Sequence, residues 1–170
     1  DRTLNEIVRA SYEMGEVKTG ALIVIEEETI LNEYARTGIY LDSLVTSQLL
    51  INIFEHNTPL HDGAVVIQGN RVTAATCYLP LSDNMNISKD LGTRHRAAVG
   101  ISEATDALTI VVSEETGRVS VAQGGKLEKI GSAEHLRSVL RATNGEEKEA
   151  PMNRFKIWKG RLKNERTIKE

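Results

Sequence analysis

The chain has 170 residues, of which 26 % are charged and 40 % hydrophobic, and its formal net charge is −3. This composition is typical of one ordinary globular domain, and the slight acidity argues against a general nucleic-acid binder. The single cysteine excludes an internal disulfide and a cysteine-cluster metal site, and no run approaches the roughly 20 apolar residues that cross a bilayer.

The first half of the chain predicts two helices and four strands. Thr3 and Glu6 form a capping-box pattern that predicts the start of a first helix, which Gly15 or Gly20 ends. Ser43 is the predicted cap of a second helix, which ends near residues 56–57. The predicted strands are 21–25, a weaker candidate at 38–41, then 64–68 and 71–78.

The second half predicts a hairpin between two helices. Gly69-Asn70 is predicted to be a two-residue turn that joins the strands at 64–68 and 71–78. Residues 79–91 are predicted to form a loop of functional length. Thr93 begins a helix, and Ser132 caps a final one. The predicted second hairpin pairs residues 108–113 with 118–122, and Gly124-Gly125 closes it.

Helices and hairpins interleave, which favours an α/β (α+β) fold with a mixed, largely antiparallel sheet and helices packed on its faces. Residues 1–143 are predicted to form this single globular domain, and residues 144–170 a polar linker and a basic tail. From residue 151 onward there are seven Lys or Arg and two Glu. A poorly ordered or locally docked helix is the favoured interpretation of this tail, with a membrane-surface or partner-binding segment as the alternative.

A carboxylate precedes the third strand in Asp62-Gly63-Ala64. Such a carboxylate can hold Mg²⁺ or Mn²⁺, the hard cations that accompany nucleotide phosphates, and the two small residues let a ligand approach the backbone. Asp-Gly is also a common turn dipeptide, so this motif alone is a weak signal.

A cationic helix start follows in Gly92-Thr93-Arg94-His95-Arg96. The first turn of a helix offers free N–H groups and a partial positive charge, to which the Thr93 hydroxyl and two guanidinium groups add donors for phosphate oxygens. Two arginines oppose the helix dipole at this position, so the sequence departs from a local rule in the way that binding sites often do. A solvated basic helix start is the structural alternative.

Two further strand ends carry weaker candidates. Ser113 could donate to a phosphate and either Glu114 or Glu115 could bind a metal, or all three could belong to a solvated acidic turn. Tyr78 could face an adenine ring or lie in the core or an interface, and Leu79 follows it. The chain has no Gly-x-Ser-x-Gly elbow, no Walker loop and no Gly-x-Gly-x-x-Gly fingerprint. His61-Asp62 differs from the His-Asp pair of metal phosphohydrolases, because a β-rich run follows it.

The Asp-Gly-Ala and Arg-His-Arg motifs, in this order and at this separation, resemble the diadenylate cyclases of the membrane-anchored class found in Gram-positive bacteria. The similarity covers roughly residues 4–140. It implies that two ATP are condensed into cyclic di-AMP with release of pyrophosphate. It also implies these roles: catalytic for Asp62, Arg94, His95 and Arg96; nucleotide-binding for Gly63, Ala64, Tyr78, Leu79, Gly92, Thr93, Ser113 and Glu114; metal-binding for Asp62 and His61.

The resemblance implies a divalent metal, Mn²⁺ or Mg²⁺ with Co²⁺ as a third candidate, and ATP as substrate. Because each 3′-hydroxyl must attack the other nucleotide's α-phosphate, two such sites must face each other, which predicts a homodimer. Regulatory protein partners are also expected, and nucleic acid is not.

The sequence begins at Asp1 with a helix almost at once, which suggests a fragment of a longer protein. With the resemblance, this predicts a soluble cytoplasmic domain of a bacterial membrane protein whose N-terminal segment is missing here. The rival hypothesis is a sensor domain that binds ATP or cyclic di-AMP without catalysis. A third is a structural module that docks partners through the basic tail.

Overall fold

The computed structural model describes residues 1–144. The helices are α1 (Arg2–Glu16), α2 (Asn32–Ala35), α3 (Ser47–Phe54), α4 (Thr93–Ala104) and α5 (Ala133–Thr143). The strands are β1 (Ala21–Ile25), β2 (Ile39–Leu44), β3 (Ala64–Gln68), β4 (Arg71–Cys77), β5 (Leu108–Val112), β6 (Val119–Gln123) and β7 (Lys126–Ile130). The predicted linker and tail lie outside the described residues, except for Asn144.

Within the described residues, the seven strands form one sheet in the order β2-β4-β3-β1-β5-β6-β7. Only β1 and β3 are parallel, and every other neighbouring pair is antiparallel. The predicted mixed, largely antiparallel sheet is therefore confirmed.

Helices cover both faces of the sheet and divide the core in two. On one face, α1, α3 and α5 pack against inward side chains such as Ile23, Val65 and Ile110. On the other face, α4 packs against Leu22 and Val66. Because the central strands are buried on both sides, they are continuous apolar runs rather than alternating ones. Among the described residues, no helix combines the length and apolarity that a membrane span requires.

Two predicted helix starts are wrong. Helix α1 begins at Arg2 because the Asp1 carboxylate caps it, accepting from Thr3 N–H at 2.9 Å. Glu6 is not part of a capping box, since it accepts from the backbone N–H of Ser47 at 2.6 Å and so ties α1 to α3. Helix α3 is capped by Thr46, whose hydroxyl accepts from Leu49 N–H at 3.1 Å, while Ser43 lies within β2.

The sequence also missed two elements. The turn at Gly124-Gly125 does not close the second hairpin but leads into β7, a further antiparallel strand. The short helix α2 was not predicted either. Both predicted hairpins, the start of α4 at Thr93 and the Ser132 cap of α5 are confirmed.

Candidate functional site

Six strands each have one end along the same edge of the sheet, the edge that runs across the strand ends, and these ends form the floor of a cavity. At this edge β1, β3 and β6 begin, while β4, β5 and β7 end. The cavity has a volume of about 670 Å³, and the first turn of α4 forms one of its walls. This volume is in the range of small-molecule sites.

Most of the predicted site residues line this cavity, although they come from four separate parts of the chain. They are Asp62, Gly63, Tyr78, Leu79, Gly92, Thr93, Arg94, His95, Ser113 and Glu114. The fold therefore brings the acidic motif and the cationic helix start to one cavity.

The backbone at the acidic corner is held in uncommon conformations. Gly63 has a φ of +81°, and a Cβ there would lie 2.8 Å from the carbonyl oxygen of Cys77. Thr76 has a φ of +56°, which is rare for a β-branched residue and costs on the order of 1–3 kcal/mol. Asp62 lies directly before this close approach of β3 and β4, and its side chain is 87 % exposed.

His61 is oriented as a metal ligand would be. Its Nδ1 lies 2.7 Å from the carbonyl oxygen of Thr58, and because a carbonyl only accepts, Nδ1 carries the hydrogen. In the neutral ring Nε2 then has its lone pair free, 3.4 Å from Asp62 Oδ1. The pair fits two ligands of a divalent cation whose remaining ligands are phosphate and water oxygens, as is common for Mg²⁺. Within residues 1–144 no cluster of three or more metal-ligating side chains offers a closed cage.

The N-terminus of α4 has no side-chain cap. Its N-cap is Gly92, so the first N–H groups of the helix have no side chain to receive them. Thr93 and Arg94 extend from this turn into the cavity. Free N–H groups, a hydroxyl and a guanidinium together form an anion site.

Arg94 is held between two other segments. Its Nη1 lies 3.2 Å from Glu114 Oε2, and a Cβ on Gly20 would lie 2.7 Å from the same nitrogen. Because Gly20 has no side chain, the Arg94 guanidinium can occupy the space beside it. Arg94 Nε is buried with no hydrogen-bond partner among the described residues.

Ser113 has a donor left for a ligand. Its Oγ accepts from the backbone N–H groups of Glu115 and Thr116, both at 3.2 Å. Since both of these bonds use lone pairs, the hydroxyl hydrogen remains free to donate. Ser113 thus suits a phosphate oxygen as acceptor.

The loop of residues 79–91 also lines the cavity and is fastened to α4. Ser82 donates its backbone N–H to the carbonyl oxygen of Arg96 at 3.0 Å and its hydroxyl to Glu103 at 2.7 Å. Gly100 has no side chain, and a Cβ there would collide with the carbonyl oxygen of Pro80. The loop therefore lies directly on the helix.

Three predicted site residues do not line the cavity. Ala64 is buried in the core beneath it. Arg96 is two residues beyond Arg94, about 200° further round the helix, and its carbonyl holds the 79–91 loop. His61 lies beside the cavity, with its Nδ1 toward the Thr58 carbonyl and its Nε2 toward Asp62. The geometry thus does not bring Arg96 or Ala64 to a ligand bound here.

Sequence reasoning did not identify several polar lining residues: Asp90 on the 79–91 loop, Thr116 and Arg118 between β5 and β6, Ser120 on β6 and Lys129 on β7. Glu115, which the sequence offered as an alternative metal ligand to Glu114, also lines the cavity. Lys129 lies on the unpredicted strand β7, where residues 126–130 do not alternate between polar and apolar, so its position had no signal in the sequence.

Cys77 lines the cavity, but its thiol is poorly suited to act as a nucleophile. Burial raises the pKa of its thiol to about 11. The thiolate that attacks in cysteine enzymes is therefore scarce at neutral pH.

His95 is buried in the first turn of α4, and we expect it to make stability sensitive to acid. Burial and the neighbouring Arg94 lower its pKa below the usual value near 6.5, against a smaller opposite effect of Glu115. As pH falls through this window, the unfolded chain takes up a proton before the folded one does, so stability is lost. His95→Gln is expected to reduce the fall in melting temperature from pH 7 to pH 5. His56→Gln, at an exposed ring, is the control, and an unchanged acid response in His95→Gln would contradict the prediction.

Comparison with known families decides the classification. A sequence model of the family described as "DisA bacterial checkpoint controller nucleotide-binding" (DAC) matches residues 8–127. The chain belongs to the DAC family. The predicted diadenylate cyclase resemblance is thus confirmed at the level of the family.

The DAC domain has similar relatives among curated proteins. It is 51 % identical to the cyclic di-AMP synthase CdaA of Bacillus subtilis, over 94 % of this chain and 59 % of the relative. It is 53 % identical to a diadenylate cyclase of Listeria monocytogenes, over 81 % of this chain and 50 % of the relative. The chain thus spans between half and three fifths of the length of these proteins.

Solved structures share the DAC fold. DacA from Staphylococcus aureus, as a double mutant, is 51 % identical with a TM-score of 0.81, over 83 % of this chain and 94 % of that one. A hypothetical membrane-spanning protein from Bacillus cereus is 45 % identical with a TM-score of 0.73, over 75 % and 62 %.

Proposed function

We propose that this chain is the catalytic domain of a diadenylate cyclase, which condenses two ATP into cyclic di-AMP and releases two pyrophosphates. The observation that carries the proposal is that Asp62 and the cationic first turn of α4 line one cavity. Relatives named diadenylate cyclase and cyclic di-AMP synthase support it.

Different cavity residues suit different parts of the nucleotide. Tyr78 and Leu79 lie on the loop side and suit the adenine. Thr93, Arg94 and Ser113 supply the donors that suit the phosphates. Arg94 is already paired with Glu114, and Ser113 is held by two backbone N–H groups, so both can stabilise charge that develops at the phosphorus with little reorganisation.

Asp62 and His61 suit a divalent cation, which we propose to be Mn²⁺ or Mg²⁺, with Co²⁺ as a third candidate. When bound, such an ion lowers the pKa of a ribose hydroxyl and neutralises phosphate charge. The chain's contribution would be to hold this cation between His61 and Asp62 and to supply the α4 donors in the same cavity as Asp62.

Ring closure requires two copies of this domain. Each 3′-hydroxyl oxygen bonds to the α-phosphorus of the other nucleotide, the bond from that phosphorus to the pyrophosphate oxygen breaks, and the hydroxyl proton is released. One cavity suits one ATP, so the two must face each other across a two-fold axis. We therefore propose a homodimer as the active assembly.

The parent protein is proposed to be a bacterial membrane protein with this domain on the cytoplasmic side. The greater length of the relatives and the membrane-spanning neighbour from Bacillus cereus support this. Regulatory protein partners fit such a location, whereas the net charge of −3 offers nothing for nucleic acid.

The product assay tests the proposal directly. The protein is incubated with ATP and Mn²⁺, and the nucleotides are separated by chromatography. Cyclic di-AMP and pyrophosphate are expected in a ratio of one to two. Binding of ATP without any product, at protein concentrations where dimers are present, would favour the sensor hypothesis instead.

Gly20→Ala is expected to lower the rate of product formation about 10- to 100-fold. A Cβ there would lie 2.7 Å from Arg94 Nη1, so the guanidinium must move, and displacements of about 1 Å can cost that much. The steady-state rate with saturating ATP measures the effect. Gly131→Ala, at a glycine with open space around it, is the matched control. A rate equal to that of the control would show that Arg94 is not fixed by this contact.

In an Arg94→Ala background, Gly20→Ala should have no further effect. This double mutant separates the steric effect on Arg94 from a general loss of folding, which would persist without the guanidinium.

A further inference from the structure

Two cations reach the same cavity from the sheet side. Ser120 and Lys129 are directly opposite each other in the antiparallel pair β6–β7, so their side chains share one face of the sheet. Arg118 is two residues before Ser120, and its carbonyl still accepts from Ser113 N–H at 3.0 Å, so it extends the same face. All three residues line the cavity.

Packing does not account for these cations. Their neighbours Val119 and Ile130 point to the opposite face and belong to the core there. Arg118 and Lys129 themselves are exposed, and within the described part of the chain neither is in an ion pair. Arg94, by contrast, is partly neutralised by Glu114.

The strand order fixes where these charges lie relative to Asp62. Asp62 precedes β3, and Lys129 lies on β7, four strands away across β1, β5 and β6. At about 4.8 Å per strand this is roughly 19 Å between backbones, and the long Lys side chain shortens it. Arg94 lies between them, because it contacts Gly20 before β1 and Glu114 after β5. A triphosphate whose α-phosphate lies between Asp62 and Arg94 can therefore run toward β6 and β7.

We infer that Arg118 and Lys129 form a subsite for the β- and γ-phosphates of ATP and for the pyrophosphate that leaves. The inference rests on the proposed function. The subsite binds the part of the substrate that the product lacks, so it discriminates ATP from cyclic di-AMP. It also stabilises the charge that moves onto pyrophosphate as the bond to the α-phosphorus breaks.

Equilibrium binding with two ligands tests the subsite. 3′-Deoxy-ATP carries the triphosphate but lacks the attacking hydroxyl, so it does not react, and cyclic di-AMP carries no β- or γ-phosphate. Titration calorimetry with Mn²⁺ is expected to show about tenfold weaker binding of 3′-deoxy-ATP to Lys129→Ala, and similarly to Arg118→Ala, a loss of about 1.4 kcal/mol. The affinity for cyclic di-AMP should change less than about twofold, because its phosphates remain with Arg94.

Lys126→Ala is the matched control. Lys126 lies on the same strand, but it does not line the cavity, and its removal changes the net charge equally. It should leave both affinities unchanged, and Lys129→Arg should retain most of the binding of 3′-deoxy-ATP.

Equal weakening of both ligands, or no weakening of 3′-deoxy-ATP, would overturn the inference. The product assay on the unaltered chain reports separately on the proposed function. If cyclic di-AMP forms but Lys129→Ala binds 3′-deoxy-ATP normally, only the subsite is wrong.

Discussion

Asp62→Asn is expected to reduce cyclic di-AMP formation at least about 1,000-fold, which corresponds to about 4 kcal/mol of transition-state stabilisation. The substitution removes the charged ligand of the proposed cation and keeps the shape of the side chain. Because that side chain is 87 % exposed, the free energy of unfolding should change by less than about 0.5 kcal/mol. Chromatography of the products and thermal melting measure the two effects.

Asp83→Asn is the matched control for this prediction. Asp83 is an exposed carboxylate of the 79–91 loop and does not line the cavity. It should retain the full rate. If Asp62→Asn also did so, the charge needed for catalysis would have to come from another cavity carboxylate, such as Glu114 or Glu115.

Dilution is expected to abolish turnover while leaving ATP binding intact. If each hydroxyl attacks a nucleotide held by the other protomer, a monomer has no partner for its bound ATP. Below the dissociation constant of the dimer, the rate per protein molecule should fall in proportion to protein concentration, so the total rate falls with its square. Initial rates across a dilution series measure this.

Binding of 3′-deoxy-ATP in the same dilution series is the control, since it needs only one cavity. Light scattering gives the fraction of dimer at each concentration. A total rate that stays strictly linear through dissociation of the dimer would contradict the two-protomer mechanism.

Local signals predicted the elements that are specified locally. Gly69-Asn70 places a hairpin turn, and Ser132 accepts from His135 N–H at 3.1 Å as a cap should. The start of α4 follows from Thr93 and the apolar spacing after it. In each case the deciding contact is within four residues along the chain.

The errors arose where a distant contact decides. Glu6 matches a capping box, but its carboxylate accepts from the backbone N–H of Ser47, 41 residues away. The Asp1 carboxylate caps the helix instead. The strand β7 has little intrinsic β pattern, and its pairing with β6 stabilises it. Such competition cannot be read from a short window of sequence.

The same distinction between local and distant contacts applies to the candidate site. Asp62 and Arg94 occur in compact motifs whose chemistry is visible in the sequence. Arg118 and Lys129 line the same cavity, and Gly20 contacts Arg94 there, only because the sheet order brings their strands to one edge. Their types are ordinary for loops and edge strands, so only the three-dimensional arrangement distinguishes them.

The attachment of the 79–91 loop to α4 has a mechanical consequence. Pro80 lies against Gly100, and Ser82 is hydrogen-bonded to both Arg96 and Glu103, so the loop is joined to α4 at several points. A tilt of α4 would therefore carry the loop with it and change the distance of both from Asp62. A partner that displaces the far end of α4, near Glu103, would in this way alter the geometry around a nucleotide bound as proposed.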